Sequence, residues 1–144
     1  MPDICAAIGL AQIRKYPSKF FPERQRIFRQ YNEAFAQHDW AILPPSDSEE
    51  KTTSCHLYLL RIAGMDEAQR DDIIRLISEA GVGVNVHYIP MAMLTLFKER
   101  GYRIGDYPNT YRLYANEISL PVYNGLDEEK VQYVIDAVVS AVRL

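Results

Sequence analysis

The run from His56 to Ala63, HLYLLRIA, most constrains what this chain can fold into. It is apolar, partly aromatic, and long enough for a strand buried in a core, with Gly64 as its punctuation. The segments around it have a helical period instead. Ile27, Phe28, Tyr31 and Phe35 form one apolar stripe, and Ile73, Leu76, Ile77 and Ala80 form another. Asp66, or a residue just after it, caps the second of these helices, and Gly81 sits where a C′ glycine belongs. The last helix is the clearest. Asp127 is a good N-cap, Leu126 and Val131 stand at the two staple positions, and Val131, Val134, Ile135, Val138 and Val142 form its inner stripe.

The remaining segments are shorter. A first helix starts at Pro2 and Asp3, repeats Ile4, Ala7, Ile8 and Ala11 at helical spacing, and carries Arg14 and Lys15 near its end. Pro17 breaks or bends it, and Pro22 suits the first turn of the next helix. Asp39 to Pro45 reads as a short extended piece through Trp40, Ile42 and Leu43, and Ser46 to Thr53 as a loop. Val82, Val84 and Val86 alternate with Gly83, Asn85 and His87, which predicts a two-faced strand ended by Pro90. Met91 to Arg100 reads as a short helix stopped by Gly101, Gly105 to Pro108 as a turn, Thr110 to Asn116 as helix, and Glu117 to Val122 as containing a strand. Helices alternating with short strands favour an α/β or α+β class.

Composition narrows the function. At 144 residues, 48% hydrophobic and 24% charged, the chain reads as one ordinary domain, neither disordered nor fibrous. Two cysteines, Cys5 and Cys55, build neither a disulfide scaffold nor a four-thiolate zinc site. Sixteen basic residues against nineteen acidic ones give a net charge of -3, which argues against a dedicated nucleic-acid binder. No apolar stretch approaches a membrane span, and the N-terminus does not read as a signal peptide, so the expected compartment is the cytoplasm. The first helix is apolar around much of its circumference, through Ile4, Ala6, Ala7, Ile8, Leu10, Ala11 and Ile13. Such a helix is expected to be covered by another domain or subunit.

No dinucleotide-binding, Walker, zinc-protease, CxxC or nucleophile-elbow motif is present. The best local candidate for chemistry is VNVHYIPMA, Val84 to Ala92, where His87 and Tyr88 end a valine-rich segment before a proline turn. Histidine donates, accepts or titrates near neutrality, and a tyrosine hydroxyl orients polar ligands. The same residues also read as an edge histidine and a packing aromatic. His56 is a second substrate-side candidate, with a hydrogen-bonded structural role as the alternative. Cys55 and His56 are neighbours that point to opposite faces, so they do not form a nucleophilic pair. His38 near a helix C-terminus interacts with the dipole. Tyr102, Tyr107, Tyr111 and Tyr114 cluster as a stacking surface or as the rim of a subunit contact. The acidic Asp127, Glu128 and Glu129 complement a helix N-terminus and hold no metal.

Several longer stretches carry a resemblance. MPDICAAIGLAQI, ERQRIFRQYNEAF, SCHLYLLRI, RDDIIRLISEAGVGVNVHYIP and YPNTYRLYANEISLPVYNGLDEEKVQYVIDAV follow one another as in the sugar aminotransferases of the DegT/DnrJ/EryC1/StrS family. The chain resembles the small C-terminal domain of that family over nearly its whole length. The resemblance implies the aspartate-aminotransferase fold type, here as a short mixed sheet with helices packed on it, forming a single domain over residues 1–144. It implies a pyridoxal 5'-phosphate enzyme that moves an amino group, usually from glutamate, onto a nucleotide-linked keto-sugar in polysaccharide or glycan biosynthesis. It also implies a homodimer with active sites at the subunit interface.

In the family, the cofactor is held covalently by a lysine in a large domain preceding the matched segment. None of the five lysines here, Lys15, Lys19, Lys51, Lys98 and Lys130, has the family's Ser-x-His-x-x-Lys context. Met1 coincides with an internal methionine of the family pattern. The expectation is therefore a C-terminal domain that binds no cofactor and has no transaminase activity by itself. His87 and Tyr88 align with the family's His-Tyr at the active-site mouth. Many members carry a further histidine where this chain has Ala92, and a proline-tyrosine pair near Thr95 and Leu96, departures that bear on the sugar bound. Two rival readings remain open. One is a stand-alone module binding a small molecule at the His87–Tyr88 loop. The other is an interaction protein that uses its tyrosine-rich region.

Overall fold

The computed structural model describes residues 1–45 and 47–143; Ser46, at the start of the expected loop, and Leu144 lie outside the described residues. Helix α1 (Asp3–Lys15) begins after extended Pro2, with Asp3 in its first turn and Arg14 and Lys15 in its last, a charge order that complements the helix dipole. Pro17 does not end the helix. The chain passes through a π-helical turn, Tyr16–Phe20, directly into α2 (Phe21–Phe35), where Pro22 occupies the first turn. A π-turn absorbs the carbonyl clash that a proline ring imposes on an α-helix. The expected stripe of α2 is the buried one: Ile27, Phe28, Tyr31 and Phe35.

Strand β1 (Ala41–Ile42) is shorter than the extended piece the sequence predicts. Strand β2 (Tyr58–Ile62) lies within HLYLLRIA but starts two residues late. Cys55 adopts a left-handed backbone, φ 51°, which interrupts an extended path at its N-terminal end. Helix α3 (Glu67–Glu79) opens with a reciprocal capping box between Asp66 and Gln69. It closes on Gly81 at φ 83°, where the Gly81 and Val82 N–H groups bond Ser78 and Ile77 carbonyls. That pairing and the buried Ile77 and Val82 make a Schellman cap. Helices α4 (Thr95–Glu99) and α5 (Pro108–Tyr114) are short, and 3₁₀ turns precede each of them. Strand β3 (Glu117–Leu120) and helix α6 (Glu128–Val142) finish the chain, with the Asp127 carboxylate accepting from the Lys130 N–H.

The sheet runs in the order β1-β2-β3 and is antiparallel throughout, not mixed as expected. Hydrophobic patterning reports which face of a strand is buried, not the direction in which it runs. Tyr58, Leu60 and Ile62 on one face of β2 meet Leu120 and Ile118 of β3 and join a core with the stripes of α2, α3 and α6. Leu59 and Arg61, on the other face, pair with Ser119 and Glu117. The class is the expected α/β layer of short strands covered by helices.

One expected strand does not form. Val82 to Val86 keeps its alternating burial but contributes only a single bridge, Asn85 to Ser119. Side chains intercept the next two backbone donors: the Val86 N–H bonds Asn85 Oδ1 at 2.8 Å, and the His87 N–H bonds Glu117 Oε2 at 3.0 Å. Local side-chain acceptors of this kind compete with a ladder.

Candidate functional site

The Asn85–Ser119 bridge fixes how the His87 segment meets the sheet. The two residues exchange both backbone hydrogen bonds, at 3.3 and 2.7 Å. Two residues beyond that bridge, the His87 ring arrives beside Ser119, with Nδ1 2.7 Å from Oγ. Ser119 Oγ in turn donates to Glu117 Oε1. Glu117 and Ser119 alternate with Ile118 and Leu120, so they share the sheet face turned away from the apolar core. Both are nevertheless buried, as is Arg70 of α3, which is 1% exposed.

Arg70 completes this network. Its Nη1 donates to the carbonyls of Tyr114 (2.9 Å) and Glu117 (3.2 Å), and its Nε donates to Asp71 at 2.7 Å. The guanidinium also lies over the Tyr114 ring, 4.8 Å from its centroid. Burial raises the pKa of the Glu117 carboxyl. Hydrogen bonds from Ser119 and the His87 N–H, and the charges of His87 and Arg70, act the other way.

Tyr88 follows His87 across a cis peptide bond and is 74% exposed; the two rings meet edge to face at 4.6 Å. Beyond them, Pro90, Met91, Phe97, Tyr102 and Tyr107 line a cleft of about 360 Å³. The tyrosine cluster is thus divided. Tyr102 and Tyr107 border this cleft, while the Tyr111 and Tyr114 hydroxyls both donate to Glu67, at 3.2 and 2.7 Å.

His87 and Tyr88 are brought together; His56 is placed apart from them. It is exposed, and its Nδ1 lies 3.4 Å from Arg24 Nη1 of α2. Cys55 is buried beside it, and burial pushes its thiol pKa up, which suits packing rather than nucleophilic attack. Glu117, Ser119 and Arg70 were missed in the sequence. Their one available signal is the i, i+2 spacing of Glu117 and Ser119 in a short strand, which puts both on one face. Among the described residues, no group of three His, Cys, Asp or Glu side chains is placed to hold a metal ion, and no helix is long and apolar enough to cross a membrane.

All five lysines are exposed, and Lys130 is tied to Asp127, whose hydrogen bond and charge raise its pKa. A lysine that holds pyridoxal phosphate needs a sheltered, activated amine. The lysines of this chain do not fit that role, and no step through the cofactor follows from them.

A buried polar network thus presents a histidine beside an exposed tyrosine on a small helix-covered sheet. Residues 1–139 match the model of the DegT/DnrJ/EryC1/StrS aminotransferase family, and the chain belongs to it. It is 30% identical to the spore coat polysaccharide biosynthesis protein SpsC of Bacillus subtilis, over 99% of this chain and 37% of that protein. It is 24% identical to a UDP-4-amino-4,6-dideoxy-N-acetyl-beta-L-altrosamine transaminase of Campylobacter jejuni, over 97% and 36%. The PLP form of the putative sugar aminotransferase Spr1654 from Streptococcus pneumoniae superposes with a TM-score of 0.94 at 34% identity, over 99% and 36%. The chain thus spans about a third of the length of the relatives it matches.

Proposed function

We propose that these 144 residues serve as the C-terminal domain of a pyridoxal-phosphate-dependent aminotransferase, presenting His87 and Tyr88 to a nucleotide-linked keto-sugar that receives its amino group from glutamate. The observation that carries this reading is the His87–Tyr88 pair: one ring anchored to a buried network, the other 74% exposed, within the stretch that matches the family. The names of the Bacillus and Campylobacter relatives, one for polysaccharide biosynthesis and one for a UDP-linked amino sugar, support the substrate class.

In this role the imidazole and the phenol bind and orient sugar hydroxyls, and neither supplies the covalent chemistry. The apolar face of α1, with Ile4 76% and Ile13 71% exposed, is covered by the lysine-bearing domain and by the second subunit of a cytoplasmic homodimer. When bound, pyridoxal phosphate supplies the electron sink for transamination. The 144 residues alone do not transaminate.

The test replaces His87 and Tyr88 together by alanine in a protein that also carries the lysine-bearing domain. Turnover is expected to fall on the order of 10²-fold, as for lost substrate positioning, while cofactor absorbance stays. Undiminished turnover would overturn the assignment. For the chain by itself, a stoichiometric borohydride-trapped adduct on one lysine would overturn its inactivity.

A further inference from the structure

We propose that Glu117 and Ser119 set the tautomer of His87, holding its ring proton on Nδ1 and leaving the Nε2 lone pair to accept from a donor group of the ligand. This rests on the reading of His87 as a substrate-side residue. It assigns Glu117 and Ser119 as positioning residues and restricts the ligand atom at Nε2 to a hydrogen-bond donor, a hydroxyl or an ammonium.

An ionised carboxylate only accepts, and a serine hydroxyl has one proton to give. Glu117 Oε2 already receives the His87 backbone N–H at 3.0 Å. Its Oε1 lies against Ser119 Oγ, and two oxygens at that separation need a proton between them. The serine proton is therefore committed to Glu117. Ser119 then turns only lone pairs toward His87 Nδ1, 2.7 Å away, so Nδ1 must carry the hydrogen. Among the described residues the ring's hydrogen bonds involve Nδ1 alone, which leaves Nε2 for a ligand. In a neutral imidazole, the bond made by one nitrogen fixes the state of the other.

The polarity of the chain depends on Glu117 being ionised. The His87 N–H, whose direction is fixed, reaches Oε2 at 3.0 Å; it and the charge of the buried Arg70, which donates to the Glu117 backbone carbonyl at 3.2 Å, favour the ionised form against the effect of burial. A protonated Glu117 would reverse the sequence: carboxyl to serine, serine to Nδ1, hydrogen on Nε2. The two polarities offer a ligand opposite chemistry.

Nitrogen-15 NMR of the ring, recorded on this chain at a pH where the imidazole is neutral, separates them. The expected spectrum has a pyrrole-type Nδ1 and a pyridine-type Nε2. In Glu117→Gln, the amide oxygen must take the His87 N–H, so its NH₂ faces Ser119 and turns the serine proton toward Nδ1. The two nitrogen signatures should then exchange. Ser119→Ala should release the ring to the Nε2–H form that an unrestrained histidine prefers. A wild-type ring already in the Nε2–H form overturns the proposal, even if neither variant folds. An Nδ1–H ring unchanged in either folded variant overturns it as well. Turnover indifferent to His87→Ala would remove the substrate-side reading while leaving this ring signature standing.

Discussion

The hydroxyl of Tyr31 donates to the backbone carbonyl of Pro121, 3.0 Å away and 90 residues further along the chain. This bond ties the middle of α2 to the exit of β3. Burial pushes the Tyr31 pKa above the usual phenol value, so the hydroxyl is a protonated donor at neutral pH. Replacing Tyr31 by phenylalanine leaves the packing and strands the carbonyl. The expected cost is about 1–2 kcal/mol in urea-induced unfolding, with circular dichroism of the folded protein unchanged. An unaltered midpoint would mean that water replaces the hydroxyl.

Leu60 sits at the centre of β2, fully buried between Tyr58 and Ile62 on the face that meets the helices. Leu60→Ala is expected to destabilise by about 2–5 kcal/mol, because a cavity in a sheet packed by three helices closes only in part. Leu59, on the other face, is half-buried, and the same truncation there should cost clearly less. Equal losses at the two sites would contradict the packing described for the sheet.

Asp127 gives a pH dependence with a definite sign. The hydrogen bond and charge of Lys130, together with the Lys130 backbone N–H, lower its carboxyl pKa. A carboxyl with a depressed folded pKa stabilises above its unfolded value and loses that contribution as pH falls through the folded one. Thermal unfolding of wild type and Asp127→Ala should therefore differ at neutral pH, with the gap narrowing as the solution is acidified below the ordinary aspartate range. A gap that widens in acid would refute the assignment.

No residue of α1 is buried. Ile8→Glu combined with Ile13→Glu should therefore leave the unfolding midpoint within about 0.5 kcal/mol of wild type, as for surface substitutions. The same pair should lower binding of a hydrophobic dye and self-association of the chain. Retained self-association would place the sticky surface elsewhere.

The helices were legible because their stripes, caps and stops are local. Ile27, Phe28, Tyr31 and Phe35 repeat at helical spacing, Asp66 stands where a cap is expected, and Gly81 marks an end. The Val82–Val86 strand was misread because its alternation is real while its donors are diverted by Asn85 and Glu117, a competition that involves a residue some thirty positions away. His87 and Tyr88 could be singled out from their position before Pro90. Their anchor could not. Arg70, Glu117 and Ser119 meet only after α3 and β3 pack, and a buried arginine or glutamate has no local pattern that separates it from a surface one.

The π-turn at Tyr16–Phe20 makes α1 a lever rather than an appendage. Thirteen residues of helix reach about 20 Å, so a change of about 10° at the turn carries the tip roughly 3 Å. The pivot is not free: Tyr16 stacks on Phe21, with centroids 5.8 Å apart, and its hydroxyl bonds the Ser54 carbonyl at 3.2 Å. A swing of α1 about this turn would therefore have to break, or carry with it, the bond of one tyrosine to Ser54 on the approach to β2.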